Sequence, residues 1–236
     1  MVYALWIKKN TVQSIKNLKL NSKPFSCITA YDFSMAKIID ALDIPIVLVG
    51  DSASMVMMGY NSTIPITIDE MLVFVKSVTR GTNNALVVAD MPFMSYQSSV
   101  ASAIKNAGKF IKAGRANAVK IEGGFSVSNQ IKALVNSGIP VMGHIGLLPQ
   151  SINQQSGYTI QGKTKQDAKS LIKDALSVQS AGAFSVVLEG IPSSLAKQIT
   201  KNLDIPTIGI GAGPHCDGQI QVFHDIVGLF DAFVPK

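Results

Sequence analysis

Eight short apolar runs, rich in β-branched residues, alternate with longer amphipathic stretches along the 236 residues of the chain. The runs are PFSCITA (24–30), IPIVLVG (44–50), ALVVA (85–89), NAVKI (117–121), IPVMG (139–143), FSVVL (184–188), IPTIGIG (205–211) and IVGLFDAFV (226–234). Such runs are typical of strands that are buried on both faces of a parallel sheet. The alternation therefore predicts an α/β protein with a (β/α)8 barrel of the TIM type, and a doubly wound open sheet is the alternative.

The stretches between the runs carry apolar residues at helical spacing, as Met35, Ile39 and Leu42 do after the first run. Residues 11–20 predict a short leading helix that covers the bottom of the barrel. The chain ends soon after the eighth run, so we expect the final helix of the barrel to be absent. We expect residues 1–236 to form a single barrel domain.

Composition excludes several classes of protein. With 47% apolar residues the chain has enough apolar surface for one substantial core. No apolar run approaches the ~20 residues of a membrane helix, and the first residues do not have the pattern of a secretory signal. Two cysteines, Cys27 and Cys216, are too few for a disulfide framework. We therefore expect a cytoplasmic protein that does not span a membrane.

The net charge of +6 is spread along the chain rather than clustered. Nineteen of the 21 basic residues are lysines, and no basic run exceeds the pair Lys8-Lys9. Arginines that clamp phosphates or contact bases are nearly absent, and no aromatic residues interleave with the lysines. We therefore interpret the lysines as solvated helix faces and expect no nucleic-acid partner.

Polar residues directly follow six of the eight runs or their turns. The C-terminal ends of all strands in a parallel barrel face the same mouth, so these side chains should converge there. Several carboxylates in one mouth repel one another strongly unless a cation or a proton intervenes. The residues are Asp32, Asp51, Asp90, Glu122, His144 and Glu189.

Some of these residues have a structural interpretation as well. Asp32 precedes a predicted helix, so an N-cap is at least as plausible as a catalytic role. His144 fits a buried structural histidine as well as a contact to substrate. Asp90 precedes Met91-Pro92 and Glu122 precedes two glycines, and neither position favours a merely structural carboxylate.

The residue types at the predicted mouth indicate a particular chemistry. Oxygen ligands without a set of His and Cys suit Mg²⁺ or Mn²⁺. Lys120 lies two residues before Glu122, on the same face of its strand, where it pairs with a carboxylate or holds an anionic substrate. Glu189 ends the most apolar run, and a desolvated carboxylate there suits a general base. A 2-oxo acid bound to such a metal beside this base would form an enolate.

A long segment without periodicity, residues 145–163, follows the fifth run, and it predicts a lid over the mouth.

Ten motifs, spread over about residues 11–236, resemble those of the 3-methyl-2-oxobutanoate hydroxymethyltransferase (ketopantoate hydroxymethyltransferase) family. They are TAYD (29–32), VGDS (49–52), NSTIPIT (61–67), ADMPFMSY (89–96), VKIEGG (119–124), GHIGLLPQS (143–151), GYTIQGK (157–163), VVLEGIP (186–192), IGIGAG (208–213) and DGQI (217–220).

The resemblance implies a (β/α)8 barrel, usually a homo-decamer, that acts on small molecules in pantothenate biosynthesis. The implied reaction moves a hydroxymethyl group from 5,10-methylenetetrahydrofolate, the co-substrate, to 3-methyl-2-oxobutanoate and gives 2-dehydropantoate. It implies one Mg²⁺ per subunit on Asp51, Asp90 and Glu122. It implies substrate contacts by Asp51, Ser52, Asp90 and Lys120, and Glu189 as the proton acceptor.

Two residues of the predicted lid depart from the family pattern. Leu148 stands where the family commonly has Thr, and Ser156 stands where it commonly has Gly. We expect these changes to affect folate binding rather than metal binding.

Two other functions remain open from the sequence. A metal-dependent lyase or mutase of the phosphoenolpyruvate-mutase and isocitrate-lyase type would share a metal in a barrel mouth. Such enzymes generally carry a reactive Cys or an Arg-rich pocket, and the mouth motifs contain neither. A shortened, inactive homologue is the non-enzymatic alternative, but all of the expected catalytic groups are present.

Overall fold

Eight parallel strands close into a barrel in sequence order in the computed structural model, which describes residues 9–230. The strands are β1 (Phe25–Thr29), β2 (Ile46–Val49), β3 (Leu86–Asp90), β4 (Ala118–Glu122), β5 (Val141–Gly146), β6 (Ser185–Glu189), β7 (Thr207–Ile210) and β8 (Gly218–Gln221). Strand β8 pairs with both β7 and β1, and this closes the sheet. The predicted (β/α)8 barrel is therefore confirmed, and the open sheet is excluded.

Helices surround the barrel and connect its strands. They are α1 (Val12–Leu20), α2 (Phe33–Ala41), α3 (Ala53–Val56), α4 (Ile68–Gly81), α5 (Val100–Lys112), α6 (Ser128–Asn136), α7 (Lys165–Ser180), α8 (Ser193–Asn202) and α9 (Phe223–Ile226). Asp32 caps α2, because its carboxylate accepts a hydrogen bond from the Met35 N–H at 2.7 Å. Asp32 thus has the structural role. None of the helices within residues 9–230 has the length and apolar character needed to cross a membrane.

The predicted eighth strand, residues 226–234, is wrong. The strand that closes the barrel is β8, and the chain turns out of α9 at residues 227–230, while 231–236 lie outside the described residues. Strand β8 gives a weak apolar signal because three of its four residues are Gly218 and two glutamines. Phe25 leaves no room for a side chain at Gly218. A Cβ atom at Gly218 would lie 2.6 Å from the Phe25 ring. Among the described residues, the one helix after β8 is the four-residue α9.

The core has two layers, which the strands separate. Side chains of alternate strand positions fill the inside of the barrel, and Ile15 of α1 joins them from below. A larger layer lies between the outside of the barrel and the surrounding helices. Lys19 ties α1 to the barrel, because its Nζ donates to Asp217 and to the Thr200 carbonyl, both at 2.9 Å. The predicted leading helix therefore covers the bottom of the barrel.

We expect Ile15→Ala to lower the free energy of unfolding by about 2–5 kcal/mol, because it leaves a cavity at the base of the closed core. The Ile15 side chain is fully buried, whereas Leu20 of the same helix is 74% exposed. The control Leu20→Ala should therefore stay within about 0.5 kcal/mol of the wild type. Urea unfolding measures both. Equal losses in the two variants would contradict this packing of α1.

Candidate active site

The polar side chains meet at the C-terminal mouth because side chains alternate along each strand. Ala118 of β4 packs inside the barrel, so Lys120 and Glu122, two and four residues later, also point inward. The strand register places Asp90 beside Lys120 and Glu122 beside His144. These side chains form the top layer of the barrel interior.

Lys120 supplies a positive charge to this layer. Its Nζ lies 2.9 and 2.8 Å from the two carboxylate oxygens of Asp90 and 3.6 Å from Oε1 of Glu122. The three residues are at most 4% exposed. Of the two sequence interpretations of Lys120, the structure shows the pairing with a carboxylate.

Asp51 carries the least compensated charge at the mouth. It is 5% exposed, and its side chain accepts a hydrogen bond from the Gln150 Nε2 at 2.9 Å. Burial, together with the negative charges of Asp90 and Glu122, raises the pKa of Asp51 well above its ordinary value, despite the opposing charge of Lys120. Burial also raises the pKa of Asp90, although Lys120 partly offsets it. A buried carboxylate in this position is stabilised in its ionised form by an additional cation.

His144 lies between two glutamates. Its Nδ1 is 3.4 Å from Oε1 of Glu122, and its Nε2 is 3.2 Å from Oε2 of Glu189. Burial and the charge of Lys120 lower its pKa, but the two carboxylates outweigh them and raise it to about 9. Burial raises the pKa of Glu122, yet Lys120 and His144 more than compensate, so that the pKa is lowered. His144 therefore connects the buried layer to Glu189.

Glu189 differs from the other carboxylates because it lies at the rim of the mouth. Its side chain is 20% exposed, whereas that of Glu122 is 1% exposed. The sequence predicted a desolvated carboxylate here, and the structure instead leaves it partly open to solvent. A carboxylate at the rim is accessible to a substrate that enters the mouth.

Ser52 presents a hydroxyl group beside Asp51. Its Oγ lies 2.8 Å from the hydroxyl of Tyr31, which is 1% exposed. Ser52 precedes α3 but makes no capping hydrogen bond to it. The Tyr31 contact, rather than a helix cap, holds this hydroxyl at the mouth.

Sequence reasoning missed two buried residues of the site, Gln150 and Tyr96. The Tyr96 hydroxyl lies 3.0 Å from the Glu122 carbonyl oxygen and 3.0 Å from Gln150 Oε1. Both residues are at most 2% exposed. Their one signal in the sequence is that they lie in the motifs ADMPFMSY and GHIGLLPQS. The segment 145–163 predicted as a lid thus contains Gln150, which is buried in the site.

No group of three or more His, Cys, Asp and Glu side chains within residues 9–230 is arranged as a ready metal site. The carboxylates of Asp51, Asp90 and Glu122 share one layer, but Lys120 lies between two of them. The three-carboxylate Mg²⁺ site stays a prediction.

The family model of ketopantoate hydroxymethyltransferase matches residues 9–236 of the chain. The chain belongs to the ketopantoate hydroxymethyltransferase family. A 3-methyl-2-oxobutanoate hydroxymethyltransferase of Clostridioides difficile (strain 630) is 53% identical over 97% of this chain and 83% of its own length. One of Clostridium kluyveri is 56% identical over 97% of this chain and 81% of its own length.

Solved structures share the fold of this family member at low identity. A putative phosphonomutase from Burkholderia cenocepacia superposes with a TM-score of 0.71 at 12% identity, over 93% of this chain and 95% of that one. A 2,3-dimethylmalate lyase, described as a PEP mutase/isocitrate lyase superfamily member, gives 0.68 at 16% identity, over 92% and 80%. At these identities the likeness supports the barrel fold alone.

We expect Lys120→Met to lower the free energy of unfolding by about 3–5 kcal/mol, because it removes the buried cation of the carboxylate layer. The matched control Lys109→Met breaks an exposed contact of 3.9 Å to Asp69 and should cost less than about 1 kcal/mol. Urea unfolding at pH 8 in the presence of a chelator measures both. A loss in Lys120→Met no larger than that in the control would contradict the ion pairing described above.

Proposed function

We propose that the chain transfers a hydroxymethyl group from 5,10-methylenetetrahydrofolate to 3-methyl-2-oxobutanoate and forms 2-dehydropantoate. The observation that carries the proposal is the buried layer of acidic side chains at the mouth, with Glu189 at its rim. The family supports it, since relatives named 3-methyl-2-oxobutanoate hydroxymethyltransferase align with 97% of the chain. The same barrel carries every residue of this proposal, so we propose that the chain acts as one domain.

The donor set fits Mg²⁺. The oxygens are hard carboxylate donors, and Mg²⁺ is usually held by one or two carboxylates together with water and substrate. The Oε1 atom of Glu122 is buried without a well-formed hydrogen bond, and burial together with the charges of Asp90 and Glu122 raises the pKa of Asp51. We therefore propose that Asp51 and Asp90, with Glu122, hold the ion. When bound, Mg²⁺ would polarise the 2-oxo group and stabilise the negative charge that develops on it.

The remaining polar groups of the mouth suit an anionic 2-oxo acid. Lys120 supplies a positive charge, and Ser52 supplies a hydroxyl group that Tyr31 holds in place. His144 supplies two ring nitrogens between Glu122 and Glu189. We propose that Ser52, Lys120 and His144, together with Asp51 and Asp90, bind the substrate.

Glu189 is the proposed base. Its carboxylate would remove the proton from C3 of 3-methyl-2-oxobutanoate, and the His144 Nε2 lies 3.2 Å from it. The resulting enolate carbon would form a bond to the one-carbon unit while the two C–N bonds that hold this unit to the folate break, and tetrahydrofolate leaves. Water supplies the oxygen of the new hydroxyl group, and the C3 proton and the two water hydrogens together supply the hydroxyl hydrogen and the two N–H hydrogens of tetrahydrofolate. The proton taken by Glu189 exchanges with solvent, which its partial exposure permits.

The proposal also covers the assembly of the protein and its location in the cell. We propose that the protein works on small molecules in the cytoplasm as a homo-oligomer of the family's decameric kind, without nucleic acid or membrane. Size measurement in solution tests the assembly.

The test of the proposed reaction measures 2-dehydropantoate from Mg²⁺, 3-methyl-2-oxobutanoate and 5,10-methylenetetrahydrofolate. Product should require both organic substrates, because the carbon skeleton comes from one and the new carbon from the other. Exchange of the C3 proton with deuterium oxide should occur without the folate. Cleavage of a 2-oxo acid or its phosphonate analogue without folate, in the absence of this product, would favour the lyase or mutase alternative.

In the same experiment Glu189→Gln should abolish the C3 exchange and retain binding of the 2-oxo acid, because an amide cannot act as a base at neutral pH. General-base catalysis typically contributes about 10²–10⁴-fold in rate. The control Glu70→Gln changes an exposed glutamate that caps α4 and should leave exchange unchanged. Full exchange in Glu189→Gln would remove this residue from the base role.

A further inference from the structure

Gln150 makes more contacts within the mouth than its uncharged side chain suggests. Its Nε2 donates to Oδ2 of Asp51 and to the carbonyl oxygen of Met91, each at 2.9 Å. Its Oε1 lies 3.0 Å from the Tyr96 hydroxyl, which donates to it. Its main-chain N–H donates to Oε2 of Glu122 at 3.0 Å. One residue therefore connects the ends of β2, β3 and β4 to the turn after β5.

The orientation of the Gln150 amide is fixed by these partners. The Met91 carbonyl accepts hydrogen bonds and cannot donate them, so the NH₂ group must face it. The other hydrogen of that NH₂ group is then directed at Asp51. Within residues 9–230, this amide is the one side-chain donor to the Asp51 carboxylate. Burial of Gln150, at 2% exposed, prevents water from replacing it easily.

The absence of charge on Gln150 matters as much as its contacts. A lysine or arginine in this position would neutralise Asp51 and compete with a divalent cation. An amide holds Asp51 in place by hydrogen bonding and leaves the negative charge of Asp51 available. The side chain thus holds a carboxylate by a hydrogen bond and adds no charge of its own, as a group that orients a metal ligand must do.

We propose that Gln150 is a positioning residue that orients the Asp51 carboxylate for binding of the divalent cation. The inference rests on the proposed function, which assigns Asp51 to the metal. Because Gln150 acts through Asp51, its loss weakens metal binding while the carboxylates themselves remain. Partners that orient ligands in this way typically contribute about 10–100-fold to metal affinity.

The chain offers a matched control in the same segment. Gln155 is also a glutamine with a satisfied amide, but its partners are the Gly146 carbonyl at 3.1 Å and the Leu148 N–H at 3.0 Å. It makes no contact with a carboxylate of the mouth among the hydrogen bonds of the described residues. Gln150→Met and Gln155→Met therefore each remove one side-chain amide. The first amide contacts Asp51, whereas the second contacts only backbone groups.

The experiment titrates Mg²⁺ into each folded variant by calorimetry, without substrates, and records the melting temperature in chelator. Gln150→Met should bind Mg²⁺ about 10–100-fold more weakly than wild type, and Gln155→Met should bind it like wild type. A residue that only supports the fold would lower the melting temperature and leave the Mg²⁺ affinity unchanged, and this result overturns the proposal.

Two further variants complete the design. Gln150→Asn keeps an amide in the turn but withdraws it by one methylene group, so it should also weaken Mg²⁺ binding even if the Met variant does not fold. Wild-type affinity in Gln150→Asn overturns the proposal. Asp51→Asn separates the two levels of inference, because unchanged Mg²⁺ binding in that variant refutes the metal site itself. Weakened binding in Asp51→Asn with normal binding in the Gln150 variants refutes only the role of Gln150.

Discussion

Burial of several carboxylates in one layer, with Lys120 as their lysine partner, is the constraint on which the rest of the site depends. Burial, together with repulsion from Asp90 and Glu122, raises the pKa of Asp51, and Lys120 pairs with Asp90 and Glu122 rather than with Asp51. Burying several charges in this way lowers the free energy of unfolding. Such clusters are therefore typical of functional sites. The barrel bears the cost because its apolar interior and surrounding helices supply a large core beneath and around the mouth.

The closed barrel determines which side chains share this layer. Parallel strands place their C-terminal ends together, and the register puts Asp90 next to Lys120 and Glu122 next to His144. Solved structures at 12% and 16% identity share this barrel. One barrel fold hosts many chemistries, so the barrel alone does not select the reaction. The side chains of the layer and its rim carry the proposed chemistry.

Much of the site could be predicted because its residues directly follow apolar runs. The position of Lys120 followed from the two-residue period of β4, and the position of Asp51 from its place after β2. Strand β8 could not be predicted in this way, because Gly218 and two glutamines give it little apolar pattern. Gln150 was missed for a related reason. It lies on a turn, and its burial depends on contacts to three other strand ends that no local pattern records.

A crystal structure of the protein grown with Mn²⁺, with anomalous diffraction data, tests the central claim most directly. The account predicts one strong anomalous peak in the mouth, within direct coordination distance of oxygens of Asp51 and Asp90, with Glu189 facing the same space. A peak at another place on the barrel, or a mouth in which these two carboxylates point away from a common ion, would contradict it.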